Sequence, residues 1–459
     1  MVSLSAQEWT GLRDNPLFAG KTWRWSPEAW SLLGENGQLI ESLGTAAVSF
    51  YRAIERLYLK SKANQRILRN EELLVPWVCH YYDAGKPDWL VEHANGMAVR
   101  DLLPSVLRPD LLPGTTGMAL TEWDAVPGGI GLTAQLGSAY LGEESPAMVE
   151  SFGEALTCAA EPLGGKEANM VIAVSEESGT YRPEMEWLAS ELGKRGFSIG
   201  VAEPGELEVR EDGVYREGLK VSLVYRFWEL FDWENVPVMK DLARLVDEEK
   251  LVVTPPMKHF QEEKLSLALF WHHRLQAFWE ENLNRDELKL LRSVIPKTWI
   301  LDPAPVPPGS TVDGPSVQDK PLGEWVELCK ASRKERALVI KASGFHETAW
   351  GARSVVVGDD VSAEEWKESL IRALGSFPQP ISIVQEFRKP ARLEHPVYSD
   401  HGEIEEMSGR LRLSPYFFVC GAQANWSGTL ATFCPADKKI IHGMKDGALM
   451  PCVRVSLRD

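Results

Sequence analysis

The stretch LRPDLLPGTTGMALTEWD, residues 107–124, has the pattern of a β-hairpin whose two arms carry charged side chains. Residues 113–117, with one proline and two glycines, are turn formers, and the segments on either side of them can be extended. We therefore predict a hairpin whose pairing is centred near Thr116, and the rest of the chain is interpreted outward from it.

Four charged side chains would meet on one face of this hairpin. The predicted register places Asp110 opposite Glu122 and Arg108 opposite Asp124, and alternate side chains of a strand point to the same face. Three clustered carboxylates repel one another, and a hard divalent cation such as Mg²⁺, which takes oxygen ligands, would remove that repulsion. The same pattern is equally compatible with a solvated hairpin held by salt bridges. Pro109 counts mildly against a regular ladder because it has no N–H to donate.

The composition is that of a globular protein large enough for several lobes. The chain has 459 residues, of which 44% are hydrophobic, and a formal net charge of -17. This charge disfavours binding to nucleic acid or to anionic lipid, and it is compatible with a cationic substrate such as an amine. There is no export signal at the N-terminus and no apolar run that could span a bilayer, so we expect a cytoplasmic protein with no membrane partner.

The six cysteines are scattered and include no C-x-x-C pair. This spacing argues against a zinc ribbon or a disulfide framework. We expect the cysteines to be reduced and mostly buried, with Cys158 packed in the core.

The alternation of helix and strand patterns divides the chain into five parts. They are a helical N-terminal region at 1–98, the acidic hairpin with the first part of the core at 99–168, an α/β subdomain at 169–254, a helical segment with a proline-rich linker at 255–330, and a largely antiparallel sheet with helices at 331–459. Within 169–254, buried strand patterns at 170–174 and 197–201 flank an amphipathic helix, which predicts a β-α-β unit. We expect the last two strands of the chain's final sheet to turn at residues 425–428.

A second chemically informative region follows the proline-rich linker. The strand pattern at 337–341 ends in Lys341 and is followed by a polar loop bounded by Gly344 and Gly351. A later strand pattern ends in Gln385 and Glu386. A lysine can hold phosphate as a point charge while a mobile loop folds over it and excludes water, and the Gln385-Glu386 edge could bind adenine and ribose. There is no G-x-x-x-x-G-K-[ST], so this is not a P-loop.

Two other motifs are open to a structural or a functional interpretation. The glycine-rich bend at 127–131 could bring backbone donors close to an anion, or it could be a plain turn. The pair His272-His273 suggests a metal site, but neighbouring positions of a helix point apart, so we expect a structural role.

Taken together, these motifs resemble the synthetase domain of glutathionylspermidine synthases and their wider group of circularly permuted ATP-grasp proteins. The resemblance rests on R-x-D then E-x-D in the hairpin, on residues 255–271 with Lys264, on the strand ending in Lys341, and on residues 384–387. It implies an α+β, ATP-grasp-like, circularly permuted fold in which antiparallel sheets with helices join an α/β subdomain and a helical N-terminal region. The nucleotide would then bind in the part at 331–459.

The resemblance also implies a chemistry, namely activation of a small carboxylate, such as that of a peptide, by ATP and its condensation with an amine. Asp110, Glu122 and Asp124 would hold Mg²⁺, and Arg108 would stabilise the transferred phosphoryl group. The remaining implied contacts are with ATP, from Lys264, Lys341, Gly344, Gly351, Gln385 and Glu386. The sequence identifies neither the acid, nor the amine, nor the oligomeric state.

Three departures from the family pattern keep other functions open. Asp124 stands where the family usually has asparagine, glycines stand at 128, 129 and 131 where hydroxyl residues are usual, and the strand at 428–433 lacks an expected arginine. The candidates to replace that arginine are Arg353, Arg412, Lys438 and Lys439. A catalytically inactive nucleotide-binding or scaffold protein, and a phosphotransferase, are the alternatives to a ligase.

Overall fold

The computed structural model describes residues 4, 12, 15, 17–18, 21–142, 147–399, 401–438, 440–441 and 445–455, and they form a mixed α/β fold with several sheets. The helices are α1 Gly34–Lys62, α2 Pro76–Asp83, α3 Asp88–Ala94, α4 Ile130–Leu141, α5 Ala147–Ala159, α6 Arg182–Lys194, α7 Met239–Asp247, α8 Leu265–Trp271, α9 Gln276–Asn282, α10 Arg285–Val294 and α11 Ala363–Gly375.

The strands run from the N-terminal region to the C-terminus. They are β1 Thr22–Arg24, β2 Trp30–Leu33, β3 Val106–Gly114, β4 Gly117–Asp124, β5 Met170–Val174, β6 Ile199–Ala202, β7 Glu208–Arg210, β8 Gly213–Arg216, β9 Leu219–Val221, β10 Leu223–Phe227, β11 Val252–Thr254, β12 Thr298–Ile300, β13 Ser316–Val317, β14 Lys320–Pro321, β15 Leu338–Ala342, β16 Val356–Val357, β17 Ser382–Glu386, β18 Leu393–Tyr398, β19 Ile404–Cys420, β20 Gln423–Pro435 and β21 Lys445–Val455.

The largest sheet joins strands that are far apart in sequence. Its order is β1-β21-β20-β19-β3-β4, with β18 also paired to β19 and β2 to β21. The N-terminal region is therefore not wholly helical, because β1 and β2 pair with the last strand. Strands of three or four residues give little local signal, and their partners lie more than 400 residues away in the chain.

The hairpin β3–β4 lies in this sheet, with β19 on its other side. Pro109 is tolerated there because the pairs Leu111–Leu413 and Leu107–Phe417 set a register in which it stands opposite Pro415, so neither residue has an N–H to donate. The hairpin thus forms one edge of the sheet, in which β3 pairs on both sides and β4 is the outermost strand.

The β-α-β unit predicted at 170–201 is confirmed. β5 and β6 pair in parallel, and α6 connects them. β10 and β11 extend the same sheet in the order β11-β10-β5-β6. All five residues of β5 are buried, as expected for a parallel strand covered on both faces.

The sheet that carries Lys341 is antiparallel, in the order β12-β17-β15-β16. Its core packs against α11, whose first turn is fixed by a capping box between Ser362 and Glu365. The strands predicted at 337–341 and 381–387 are confirmed as β15 and β17.

Two local predictions are wrong. The turn expected at residues 425–428 is at 421–422 instead, where Gly421 takes a positive φ of 59°. Residues 425–428 lie inside β20, and the register between Tyr416 and Phe417 shifts there as in a β-bulge. His272 is not helical, since α8 ends at Trp271 and His272 has φ -59° and ψ 125°.

The expectation that all cysteines are reduced is also wrong. Cys158, at the end of α5, and Cys420, at the end of β19, form a disulfide between Cα atoms 5.7 Å apart. The two residues are separated by 262 positions, so no local spacing could indicate the pair. Disulfides are typical of oxidising compartments, and the cytoplasmic localisation stays a prediction.

None of the helices in the described part of the chain combines the length and the apolar character needed to cross a bilayer.

Candidate active site

The hairpin β3–β4 brings its four charged residues together as the sequence predicts. Arg108 pairs with Asp124 and Asp110 with Glu122 across the two strands. This register holds because the pairing shifts by one residue between Asp110 and Leu111, which leaves Thr121 as an extra residue in β4. Arg108 forms ion pairs with both aspartates, with Nη2 2.8 Å from Asp124 Oδ2 and Nε 3.3 Å from Asp110 Oδ1.

Asp110 is the most buried of the three carboxylates and receives contacts from the next strand. Ser414 of β19 donates to its Oδ1 at 2.8 Å, and Arg412 Nη1 lies 3.1 Å from its Oδ2. Burial alone would raise the pKa of Asp110, but Arg412 and Arg108 outweigh that effect and lower it. Asp110 is therefore held ionised. Of the four residues suggested to replace the arginine expected at 428–433, Arg412 is the one that contacts the acid cluster.

The other three candidates are placed differently. Arg353 lies 3.6 Å from Glu177, and Lys438 forms an ion pair with Asp446 at 2.7 Å. Lys439 lies outside the described residues.

Lys264, just before α8, joins Glu122 to the loop after β15. Its Nζ lies 3.1 Å from Glu122 Oε2 and donates to the backbone oxygen of Ala349 at 3.1 Å. Burial raises the pKa of Glu122, but the Lys264 charge outweighs burial and the pKa is lowered. Burial would lower the pKa of Lys264, but the negative charge of Glu122 outweighs burial. The pKa of Lys264 is therefore raised.

Lys341 of β15 reaches the same hairpin from the antiparallel sheet. Its Nζ donates to the backbone oxygen of Thr121 at 2.7 Å and to Gln385 Oε1 at 2.9 Å. Burial lowers the pKa of Lys341 to about 8, although the nearby Glu122 favours the charged form. The two sheets therefore meet at the bulge in β4, with both lysines beside Glu122.

Asp124 is the carboxylate whose charge is least compensated. Arg108 and the backbone N–H of Val126, which donates to Oδ1 at 2.9 Å, both favour its ionised form. Burial together with the charges of Glu122 and Asp110 nevertheless raises its pKa. The side chains of Asp124 and Glu122 are 24% and 34% exposed, so their oxygens can be reached from solvent.

The loop predicted to cover a phosphate packs against the segment that carries Lys264. The backbone oxygen of Ser343 accepts from Lys264 N at 3.0 Å. A Cβ at Gly344 would lie 2.8 Å from the backbone oxygen of Glu262, so only glycine permits this approach. Gly351 has a φ of +63° and open space around it. The loop is thus anchored where it begins, at Ser343 and Gly344. Gly351 follows Ala349, whose backbone oxygen accepts from Lys264.

The predicted adenine-contacting pair lies on β17. Gln385 is buried and bridges two strands, since its Oε1 accepts from Lys341 and its Nε2 donates to Thr298 Oγ1 at 3.0 Å. Glu386 ends the strand and is half-buried. Gln385 positions Lys341 in this structure, and a contact of either residue with adenine stays a prediction.

The glycine bend at 127–131 supports Arg108. The backbone oxygen of Gly128 accepts from Arg108 Nη1 at 3.0 Å and from the hydroxyl of Tyr416 at 2.8 Å. Gly131 N donates to Oε1 of the buried Glu184 at 3.0 Å, and burial raises the pKa of Glu184 to about 7. A Cβ at Gly128 would lie 2.2 Å from the ring of Tyr181. Close packing thus favours glycine at position 128, whose backbone oxygen holds the guanidinium.

A second acidic group lies beside the cluster and was not singled out from the sequence. Glu229 follows β10, and burial, with the charges of Glu262 and Asp124, raises its pKa to about 8. Glu262 is paired with the fully buried Arg226. Only spatial proximity connects Glu229 with β4, so the sequence offered no signal beyond its place in the acidic, aromatic segment at 225–234.

The fold is similar to that of a solved protein structure. No protein-family model matches the sequence, and no curated protein matches it. Among solved structures, a glutathione synthetase-like effector from Globodera pallida, in the apo form, is similar with a TM-score of 0.56 and 11% identity, over 94% of this chain and 90% of that chain. The likeness shows that this chain has the fold of a glutathione synthetase-like protein.

A more distant likeness is to a provisionally named gamma-glutamylcysteine synthetase from Methylobacillus flagellatus, with a TM-score of 0.44, 10% identity and 86% of each chain covered. At that TM-score the likeness is too weak to indicate a shared fold.

Proposed function

We propose that this protein is an ATP- and Mg²⁺-dependent carboxylate-amine ligase that forms an amide through an acyl phosphate. One observation carries the proposal. Three carboxylates of one hairpin lie beside three cationic side chains from separate segments. Lys264 and Lys341 act on Glu122, and Arg108 forms ion pairs with Asp110 and Asp124. Oxygen ligands for a hard cation thus lie beside cations for phosphate. The shared fold of a glutathione synthetase-like protein supports this assignment.

The residues present suit Mg²⁺. Burial, together with the charges of Glu122 and Asp110, raises the pKa of Asp124, and a bound dication would favour its ionised form. Asp110, Glu122 and Asp124 are the ligands that we assign. Bound there, Mg²⁺ would neutralise charge on the phosphate oxygens. The carbonyl oxygen of an asparagine is not needed at position 124, since a carboxylate also ligates Mg²⁺.

The cationic side chains would act on the phosphates of ATP. Lys341 and Lys264 hold the phosphate chain as point charges, and the loop from Gly344 to Gly351 covers it. An oxygen of the substrate carboxylate attacks the γ-phosphorus and ADP leaves. Arg108, fixed by Gly128 and the two aspartates, offsets the charge that develops on the phosphoryl oxygens.

The second step joins the amine to the activated acid. The amine nitrogen attacks the acyl carbon, phosphate leaves, and the nitrogen loses a proton. A cationic amine would be attracted by the net charge of -17. Burial raises the pKa of Glu229 to about 8, and a cation beside it would favour its ionised form. We assign a small carboxylate, such as that of a peptide, as the acid substrate.

A turnover assay tests this proposal. The protein is incubated with Mg-ATP and pools of carboxylates and amines, ADP is measured, and new condensed masses are sought, with Glu122→Ala as the control. The proposal requires ADP above the control together with a condensed mass. No ADP above the control in any pool would overturn it.

Two other outcomes would redirect the assignment. Nucleotide binding without turnover would favour an inactive binding protein on the same fold, a hypothesis motivated by the absence of an arginine at 428–433. ADP together with a phosphorylated product and no amide would favour a phosphotransferase.

A further inference from the structure

Two adjacent histidines lie with their rings on the same side of the chain, remote in sequence from the acid hairpin. α8 ends at Trp271, His272 has an extended ψ of 125°, and a short 3-10 helix begins at His273. The chain direction changes between the two residues, so their rings stack with centroids 4.8 Å apart and planes 19° apart. Their nitrogens can therefore face one ligand, which successive residues of a helix could not do.

A carboxylate from the proline-rich loop completes this group. Asp313 Oδ2 lies 3.0 Å from His273 Nδ1. One ligand atom from each of His272, His273 and Asp313 lies within 4.8 Å of the other two. Two ligands that each lie about 2 Å from one metal ion are themselves roughly 3 Å apart, which matches the separation of the His273 and Asp313 atoms. A metal ion could therefore replace the shared proton of this pair.

His272 is prepared for metal binding by its surroundings. Its ring packs against Trp77 with centroids 4.5 Å apart, and Nδ1 accepts from Arg274 N at 3.3 Å. Binding through Nδ1 would replace the long contact with Arg274, and binding through Nε2 would move a proton to Nδ1. Each route costs one weak hydrogen bond.

We propose that His272, His273 and Asp313 form a transition-metal site that ties the proline-rich loop to the C-terminal end of α8. Two imidazoles and one carboxylate select Zn²⁺, Ni²⁺ or Cu²⁺ over Mg²⁺ or Ca²⁺. Three protein ligands leave further positions for water. His273 and Asp313 are exposed, with 68% and 37% of their side chains accessible, so a metal ion can enter directly from solvent. The site is independent of the proposed ligase activity.

Calorimetric titration with Ni²⁺ alone as the probe tests this proposal. Excess Mg²⁺ is included to occupy carboxylate clusters such as the hairpin, because Mg²⁺ does not compete for imidazole. We expect Ni²⁺ to bind the full-length protein and to raise its melting temperature, since the ion joins two segments. His273→Ala and Asp313→Asn should each weaken Ni²⁺ binding by about tenfold or more. Loss of a metal ligand lowers metal affinity at least as much as loss of a residue that orients a ligand.

The control is His401→Ala, which removes an exposed histidine outside the group and should leave Ni²⁺ affinity unchanged. All three substitutions are at exposed side chains, and circular dichroism confirms that the variants are folded. Equal affinity of the wild type, His273→Ala and Asp313→Asn would overturn the proposal. Absence of Ni²⁺ binding to the wild type would overturn it as well.

Discussion

Arg412 and Asp110, which are 302 residues apart in the chain, meet at 3.1 Å between Nη1 and Oδ2 on adjacent strands of the largest sheet. Arg412 is the largest of the favourable charges that lower the pKa of Asp110. Its removal should raise that pKa, so a higher pH would be needed to ionise the carboxylate. For Arg412→Gln we expect lower turnover and an acid limb of the pH-rate profile that moves to higher pH.

Arg410→Gln is the matched control for this prediction. Arg410 lies two residues earlier on β19 and donates to the backbone oxygen of Lys438 at 2.6 Å. Its loss should leave the acid limb in place. Equal shifts in both variants would show that Arg412 does not act through Asp110.

Lys341 should make ATP affinity depend on pH. Its pKa is about 8 because it is buried, so it loses its charge as the pH rises through that value. ATP affinity of the wild type should therefore fall between pH 7 and 9, and Lys341→Met should bind ATP weakly without this dependence. Isothermal titration at several pH values measures both effects.

Arg108 provides the contrast to Lys341. We expect Arg108→Ala mainly to lower turnover, with a smaller effect on ATP affinity. The reason is that the positive charge of Arg108 stabilises the phosphoryl group while it is being transferred. Comparable losses of ATP affinity in Lys341→Met and Arg108→Ala would contradict these separate roles.

Glu184 should make the protein less stable as the pH rises. Its pKa is raised from 4.5 to about 7 by burial, so between these values the folded state binds a proton that the unfolded state has released. The free energy of unfolding therefore falls over this window, by about 3 kcal/mol at most, and the cost is fully present above pH 7.

Glu184→Gln tests this because its amide oxygen can still accept from Gly131 N. The stability of the variant relative to the wild type, measured by urea unfolding, should increase from pH 5 to pH 8. A difference that is constant across this range would show that Glu184 does not titrate near neutrality.

The disulfide between Cys158 and Cys420 should contribute to stability. It closes a loop of 262 residues and so restricts the unfolded chain, which predicts a loss of about 2–5 kcal/mol for Cys158→Ser. Urea unfolding measures the loss, and a non-reducing peptide map should show the two cysteine peptides joined. Cys329→Ser, a half-buried thiol outside the pair, is the control. Unfolding that is insensitive to reductant in the wild type would contradict this prediction.

The sequence allowed the hairpin and its pairings to be predicted because turn formers and alternating side chains act over a few residues. The register of Asp110 with Glu122 follows from the shift that leaves Thr121 unpaired, a feature that the turn alone does not indicate. The contact of Lys341 with the hairpin depends on how two sheets meet, and the contact of Arg412 with Asp110 depends on the pairing of distant strands. Such contacts leave no local pattern.

Two of the incorrect predictions also arise from contacts between distant parts of the chain. Cys158 forms a disulfide with a cysteine 262 residues away, and β1 and β2 pair with β21 near the other end of the chain. For His272 the local prediction of a helix was wrong, because α8 ends at Trp271. The type of each residue indicated the chemistry that its side chain can perform, whereas the tertiary fold determines which side chains lie beside it.

The most direct test of the central claim is the dependence of ATP binding on Mg²⁺, measured by calorimetry for the wild type and for Glu122→Gln. Glutamine preserves the size of the side chain and removes the negative charge that the hairpin presents to Lys264 and Lys341. We predict that Mg²⁺ strengthens ATP binding to the wild type and has little effect on the variant. An equal effect of Mg²⁺ in both proteins, or no ATP binding to the wild type, would contradict the assignment of this hairpin as the Mg-ATP site.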